Sequence, residues 1–522
     1  MPAAESVPPA IELRHIDKRF GTVHANRDVS MSIARGSITG IVGENGAGKS
    51  TLMSILYGFY EADSGEILVN GESAAIRNPH DALLLGIGMV HQHFVLIDPF
   101  TVLENVMLGA EGGMLLRRGK ASARQELARL EREYGLGVDP DAAVGMLPVG
   151  AQQRVEILKA LYRGAGILIL DEPTGVLTPQ ETDQLFRILK TLRDRGATVI
   201  LISHKLREIM AVTDAVYVMR GGAVVAHRRT EETNAGELAE LMVGRKVRLE
   251  IDKAPARPGA ERLVVDDVTL RDARGVTVLD HVSFRARGGE IVGVAGISGN
   301  GQSELLEVLA GIRPVEAGRI VVDGVEISRS RPRDPAGMRD LGVAHIPEDR
   351  HRLGLVVSFE ATESALLGYQ HDEAYTGPVL QRHDAINRQC AVLMDEFDVR
   401  PRQPFMRSDN FSGGNQQKLI VARELARAPK VLLVGQPTRG VDIGAIEFIH
   451  RQLVEHRDAG CAVLLVSVEL DEIMALADRI LVMCNGRIVG DVARSDADER
   501  MLGLMMADAR IVDGTAATVR PV

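Results

Sequence analysis

A glycine-rich octapeptide occurs twice in this chain, 253 residues apart, and the pair demands a duplicated architecture. The first copy, Gly43-Glu44-Asn45-Gly46-Ala47-Gly48-Lys49-Ser50, meets every fixed position of the phosphate-binding loop pattern. The second, Gly296-Ile297-Ser298-Gly299-Asn300-Gly301-Gln302-Ser303, keeps the glycines and has glutamine in place of lysine. A backbone cradle is therefore expected in both copies, but the cation for the β and γ phosphates in only one. The same offset of 253 relates Gly36 to Gly289, Gly40 to Gly293, Gly65 to Gly318 and Gly71 to Gly324. Further along it becomes 264, pairing Gly150 with Gly414, Pro173 with Pro437 and Ser203 with Ser467. One domain has been duplicated, with an insertion of 11 residues in the second copy.

The strand feeding each loop is expected over Ser37 to Val42 and Glu290 to Ala295, both ending at the glycine turn. Two further apolar runs, Ile167 to Leu170 and Thr198 to Ile202, recur as Val431 to Val434 and Ala462 to Val466. None alternates with polar residues, so each reads as a strand buried on both faces, in an α/β core with a mostly parallel sheet. Thr101 to Gly166 reads instead as a helical lobe, strongly charged over Ala123 to Tyr134. The divisions expected are a loose N-terminus over 1–10, a first domain over 11–245, a linker over 246–261, a second domain over 262–508 and a loose tail over 509–522.

No uninterrupted apolar run in the 522 residues approaches the roughly 20 needed to cross a bilayer. Met1 to Ala10 has no basic stretch followed by an apolar one, so a cytoplasmic protein is expected. Cys390, Cys461 and Cys484 lie far apart without metal-ligand spacing and read as core thiols. The net charge of −10 leaves no electrostatic footprint for nucleic acid.

The residue chemistry points to nucleoside triphosphate hydrolysis. Lys49 supplies a point charge for the β and γ phosphates, the loop amides and helix N-terminus hold the anion, and the Ser50 hydroxyl is suited to ligate Mg²⁺. Asp171 and Glu172 end a buried strand, where Asp171 would hold Mg²⁺ through water and Glu172 would orient or deprotonate the attacking water. His204, just past the next strand, would hydrogen-bond the γ-phosphate as charge develops. Phe20, near a strand end, is an adenine-stacking candidate, with Ala273 as its counterpart.

Taken together with Gln92 and the stretch Leu147-Pro148-Val149-Gly150-Ala151-Gln152-Gln153-Arg154, these motifs resemble the ATP-binding subunit of an ABC transporter. Phe411-Ser412-Gly413-Gly414-Asn415-Gln416-Gln417-Lys418 closely matches that family's signature loop, and the resemblance spans about Ile11 to Ala507. It implies tandem P-loop ATPase domains, each with a mostly parallel sheet and a helical subdomain, and ATP with Mg²⁺ as ligands. In that family, ATP is sandwiched between the phosphate loop of one domain and the signature loop of the other. The resemblance thus assigns to a first site Phe20, Gly43, Asn45, Gly46, Gly48, Lys49, Ser50, Thr51, Gln92, Asp171, Glu172 and His204. It adds Ser412, Gly413, Gly414, Gln416 and Asp442 from the second half; the metal ligands would be Ser50, Gln92 and Asp171. A second site would combine Gln302 and Ser303 with Gly435, Gln436 and Val468, which replace the aspartate, glutamate and histidine. Its signature loop carries Pro148 where the family has serine, and Thr178 stands where the other half has Asp442. The counterpart of Gln92 is either Ile346 or Glu348 from the residues alone, and the resemblance favours Glu348.

The losses collect at one composite site, the expectation for a single hydrolytic centre. Fused tandem subunits of this kind are similar to those of importers for simple sugars and nucleosides, and Met89-Val90-His91-Gln92-His93-Phe94 and Leu177-Thr178-Pro179-Gln180-Glu181 look more like the nucleoside type. The resemblance implies two transmembrane permease subunits, an extracytoplasmic substrate-binding protein and a peripheral location on the cytoplasmic face of the inner membrane. Ribosome-associated tandem ABC proteins are a rival from another class. They typically keep both sites intact and join the halves by a long charged helix, unlike this chain. A nonhydrolytic scaffold conflicts with the intact Glu172 and His204.

Overall fold

The computed structural model describes residues 8–21, 23–91, 94–110, 116–175, 177, 179–246, 251, 253–377 and 379–506. The chain divides into two compact units, Met1–Val247 and Arg248–Val522.

In the first unit a six-stranded sheet runs in the order Ala223–Arg229, Ala215–Arg220, Ile38–Gly43, Thr198–Ile202, Ile167–Asp171, Ile87–Val90. All neighbours are parallel except the hairpin at the first edge. Thr198–Ile202 is buried at every residue, as its unbroken apolar run requires of a strand covered on both faces. A separate antiparallel sheet orders Val23–Ile33, Ile11–Phe20, Ser64–Val69 and Glu72–Ser73. The helical stretch contains Val102–Met107, Leu116–Tyr134 and Val149–Tyr162. Thr101 starts it with a capping box, its hydroxyl accepting from the Glu104 amide while Glu104 accepts from the Thr101 amide.

The second unit repeats both sheets. Its mostly parallel sheet orders Val343–Ile346, Val431–Gly435, Ala462–Ser467, Ile291–Ala295, Arg479–Cys484 and Arg487–Ala493. The edge register resolves a position left open by the residues alone. Ile87 pairs with Ile167 in one sheet and Val343 with Val431 in the other, so the offset at this strand is 256. That offset carries position 92 to Glu348, not to Ile346, which ends its strand wholly buried. Gln92 itself lies outside the described residues, as do Thr178, the segments 1–7 and 507–522, and linker residues 247–250 and 252.

Part of the expected linker is built into the second unit. The Lys253 ammonium donates to the carbonyls of Leu476 and Ala477 and to Asp478 Oδ1 at 2.7 to 3.0 Å. Arg457, whose side chain has no exposure, donates to the Ala254 carbonyl at 3.0 Å and to the same Asp478 oxygen at 3.1 Å. The other Asp478 oxygen accepts from the Ile291 amide at 2.8 Å, where the strand feeding the second glycine loop begins. The strand Glu261–Arg271 also starts one residue before the expected boundary.

The duplication supplies an internal control for this buried cluster. Arg193 and Asp214, the counterparts of Arg457 and Asp478, pair at 3.0 Å with side chains 29% and 42% exposed. Arg457→Ala leaves Lys253 as the one cation on Asp478, frees the Ala254 carbonyl and empties a wholly buried side-chain volume, and should destabilise the second unit by about 2–4 kcal/mol. Arg193→Ala should cost the first unit no more than about 1 kcal/mol. Urea unfolding followed separately for the two units tests the contrast, and equal costs would contradict it.

Candidate active site

Residue-by-residue pairing of three adjacent strands brings the first loop and its partners to one sheet end. Ile41, Ile202 and Asp171 lie level across Ile38–Gly43, Thr198–Ile202 and Ile167–Asp171. Each chain leaves the sheet just beyond that level, carrying Lys49, His204 and Glu172 into the same space.

The loop itself needs glycine at two points of close approach. A Cβ on Gly43 would lie 2.4 Å from the Met219 carbonyl, and one on Gly48, at φ +94°, would lie 2.2 Å from the Ala25 carbonyl. The Asn26 side chain, wholly buried, donates to the Gly48 carbonyl at 3.1 Å. Helix Lys49–Leu56 starts there, with Asn45, Gly46 and Ser50 exposed and Thr51 half-buried in its first turn.

Lys49 is buried, and its ammonium donates to the carbonyls of Gly43 at 2.8 Å and Glu44 at 3.0 Å. Burial draws it below the usual lysine range, against the opposing fields of Glu172, Asp171 and Glu44. Burial and the adjoining Glu172 raise the Asp171 carboxyl, opposed by a hydrogen bond with Ser50 and by Lys49. Burial also acts to raise Glu172, but its bond to His204, that ring's charge and Lys49 outweigh it, and Glu172 falls below the ordinary carboxylate value. The His204 Nδ1 to Glu172 Oε1 distance is 2.8 Å. Adjacent carboxylates are thus pushed in opposite directions. Glu172 sits at φ 47°, as does its counterpart Gln436 at φ 46°, so both strands leave the sheet through the same left-handed turn.

Phe20 ends its strand 41% exposed, with Tyr60 edge-on at 5.1 Å between ring centroids and the Lys18 ammonium 5.5 Å from its own. An exposed aromatic face is available for a base, and Tyr60 is a member of this aromatic pair that its sequence context did not mark.

In the second unit the signature residues gather at one helix start. Ser412 caps Gly413–Leu425, accepting from the Asn415 side chain at 2.8 Å and backbone amide at 3.4 Å. Asp442 caps Ile443–Asp458, accepting from the Ala445 amide at 2.7 Å, and a Cβ on Gly414 would lie 2.6 Å from Asp442 Oδ2. Gln416 is expected from its motif to contact nucleotide. It is buried, bonded by its oxygen to His351 Nε2 and by its amide to the Ser408 carbonyl, both at 2.9 Å. His351 and Arg350, which donates to the Arg439 carbonyl at 3.0 Å, support this loop and carried no signal beyond their proximity to Glu348. Pro148 caps the corresponding helix Val149–Tyr162 with φ −56° and ψ 153°, nearly the −60° and 155° of Ser412. Proline fits that backbone and removes only the hydroxyl and the N–H.

Around the second loop, Gln302 is buried and donates to the Ile297 carbonyl at 3.1 Å. Ile297 is the counterpart of Glu44, so the amide reproduces one lysine contact without its charge. Gln436 accepts from the Val468 amide at 3.2 Å, and Ser303 bonds Glu348 at 2.5 Å.

The first-unit residues fit a nucleotide with a divalent cation, since Gly46 and Ser50 are exposed at the glycine loop and the Ser50 hydroxyl and Asp171 carboxyl stand together beside it. Mg²⁺ there would neutralise charge on the β and γ oxygens. If ionised Glu172 is the base, activity is lost as pH falls through its lowered value, and removing His204 takes away the largest influence holding that value down, leaving Lys49 and Lys205 against burial. His204→Ala should lower kcat about 10²-fold and move the acid limb of kcat/KM to higher pH. An unmoved limb contradicts this pairing.

The family model described as ABC transporter matches residues 26–175 and 279–439, covering both glycine loops. The guanosine import ATP-binding protein NupO of Bacillus subtilis (strain 168) is 46% identical over 95% of this chain and 97% of its own length. The nucleoside import ATP-binding protein NupA of Lactococcus lactis subsp. cremoris (strain MG1363) is 45% identical over 96% and 98%, respectively. The ribose import ATP-binding protein RbsA of Chromobacterium violaceum is 39% identical over 92% and 94%. Among the described residues no helix is long and apolar enough to cross a membrane. With a complete phosphate loop, a carboxylate pair at a strand end on the same side of the sheet and this likeness over nearly its full length, the chain belongs to the ABC transporter family, as an ATP-binding protein with two fused ATPase domains.

Proposed function

We propose that this chain powers import of nucleosides through separate permease subunits by hydrolysing ATP at its first phosphate loop. The observation that carries the hydrolytic part is the Glu172–His204 contact at the strand end beside Lys49, 2.8 Å long. Ionised Glu172 takes a proton from the attacking water, and His204 holds it oriented through Nδ1, leaving Nε2 for the γ-phosphate. Lys49 leaves its loop carbonyls for the β and γ oxygens, exchanging neutral acceptors for charged ones. Phe20 stacks on the base.

In this reading the signature residues Ser412, Gly413 and Gly414, with Asp442, are required for hydrolysis, and the second phosphate loop supports none. Gln302 lacks the charge, Gln436 lacks the base and Val468 lacks the ring. The nucleoside preference is supported by the 45–46% identity to two nucleoside import proteins over nearly the whole chain. Simple sugars are the second reading, supported by the ribose import relative at 39% identity. The partners in this reading are two permeases and an extracytoplasmic binding protein, with the chain held peripherally at the inner face of the membrane.

Glu172→Gln should reduce steady-state ATPase about 10²- to 10⁴-fold. Gln436→Glu should restore nothing, because the Gln436 amide bonds Glu348 and a carboxylate there would face a like charge. Ser412→Ala should lower kcat at least tenfold while the chain stays folded. Undiminished turnover in Glu172→Gln would sink the one-site reading. Uptake of labelled guanosine and ribose by cells dependent on this chain decides the solute: loss of guanosine uptake alone in Glu172→Gln cells supports nucleosides, and loss of ribose uptake alone supports sugars.

A further inference from the structure

A buried asparagine lies against the first glycine loop where the second unit has a leucine. Strand Val23–Ile33 buries Asn26, Val29, Met31 and Ile33 in one row. The offset of 253 carries these positions to Leu279, Val282, Phe284 and Ala286, all buried and apolar. Asn26 is the polar member of its row, wholly buried, and its Nδ2 donates to the Gly48 carbonyl at 3.1 Å. Among the described residues its Oδ1 has no partner. Turning the amide over would set that oxygen against the Gly48 oxygen, so the bond to Gly48 fixes the orientation and the unsatisfied atom is its consequence. A buried oxygen without a hydrogen bond lowers stability, and leucine in the second unit avoids it.

The two loops share the tie one residue earlier. The Gly222 amide donates to the Ala47 carbonyl at 3.2 Å, while the Gly222 carbonyl accepts from the Arg27 amide at 2.8 Å. Gly486 makes the same two bonds with Asn300 and Asp280, at 3.0 and 2.9 Å. The next carbonyl is where the units part. Gly48 accepts from the Leu52 amide at 3.0 Å and from Asn26 as well. Gly301 accepts from the Leu305 amide at 2.9 Å, and a Cβ there would lie 3.2 Å from Leu279 Cδ2, a group with nothing to donate. The duplication thus isolates one hydrogen bond that the loop with the lysine has and the other lacks.

A trans peptide points its C=O and N–H in opposite directions, so a Gly48 carbonyl held toward Asn26 sends the Lys49 amide the other way, out of the helix start. That amide belongs to the first turn of Lys49–Leu56, where helix geometry gives it no intrahelical partner and leaves it for an anion. We propose that Asn26 is a positioning residue for phosphate, fixing the Gly48–Lys49 peptide so that the Lys49 amide meets the phosphate chain of ATP. This rests on the reading of the first loop as the hydrolytic site. An amide contact to phosphate is made in the ground state and the transition state alike, so Asn26 acts on binding and not on the chemical step.

The test uses the full-length protein carrying Asn26→Leu, which copies the second unit, or Asn26→Val, which is nearer to asparagine in volume and serves if leucine overpacks the site. KM for ATP should rise about tenfold with kcat within about threefold of the unsubstituted protein, and urea unfolding of the first unit should need no less denaturant. Binding of inorganic tripolyphosphate, taken as the part that Lys49→Ala abolishes, should weaken by the same factor as binding of ATP, because the lost contact is to phosphate and not to the base. An unchanged KM in both variants would overturn the proposal, and so would a loss confined to kcat, which a packing role would give. Weakened ATP with undiminished tripolyphosphate would put the effect on the base and overturn it too. Turnover and binding that ignore Lys49→Ala in the otherwise unsubstituted protein would overturn the reading of the first loop instead, which keeps the two failures apart.

Discussion

The level alignment of Ile41, Ile202 and Asp171 across three parallel strands is the constraint on which the rest of the first unit depends. Parallel neighbours share a direction, so all three chains leave the sheet at the same end and their next residues converge. The cost is burial on both faces, which is why the strands are runs of valine, isoleucine, leucine and threonine with no polar alternation. The second unit repeats the alignment with Val294, Val466 and Gly435. Its geometry is preserved down to the left-handed turn at Gln436, and the difference between the units is one of charge.

That difference follows from how few groups set the electrostatics at the end of each sheet. In the first unit a buried ammonium, two carboxylates and an imidazole perturb one another over a few ångströms, driving Asp171 and Glu172 in opposite directions. In the second, Gln302, Gly435, Gln436 and Val468 are all uncharged, and Glu348 is the carboxylate beside the loop serine. Burial raises its carboxyl, with Ser303, Arg439 and Gln436 opposing the shift. A site with one carboxylate and no imidazole is unsuited to proton transfer. The extra buried ion cluster joining Lys253, Arg457 and Asp478 belongs to the same unit and fastens the segment that leads into it.

Much of this was legible in the amino-acid pattern. The two offsets located the repeat, and each apolar run became a strand within a residue of its expected ends, because two-sided burial leaves no other use for such a run. Lys49, Ser50, Asp171 and Glu172 were readable because their spacing is tied to a loop and a strand end. Gln416 was marked by its motif, and a motif does not tell a surface role from a packing one; its side chain is buried against His351 and Ser408. Glu348 stayed ambiguous against Ile346 because the gap between the offsets falls in irregular chain, where no periodicity fixes the register. Asn26, Tyr60 and His351 carried no pattern of their own, as each acts through a partner distant in sequence.

The sequence by itself determined the duplication, the parallel α/β core and which loop carries the full set of charged groups, because these depend on local composition and on spacing along the chain. Tertiary structure alone decided that Glu348 stands in the volume Gly435 leaves open, that Gln416 turns inward, and that Lys253 is tied to Asp478 across 225 residues. Those outcomes depend on which strand ends lie side by side and on the space between them, and strand order is set by the packed sheet, not by position along the chain.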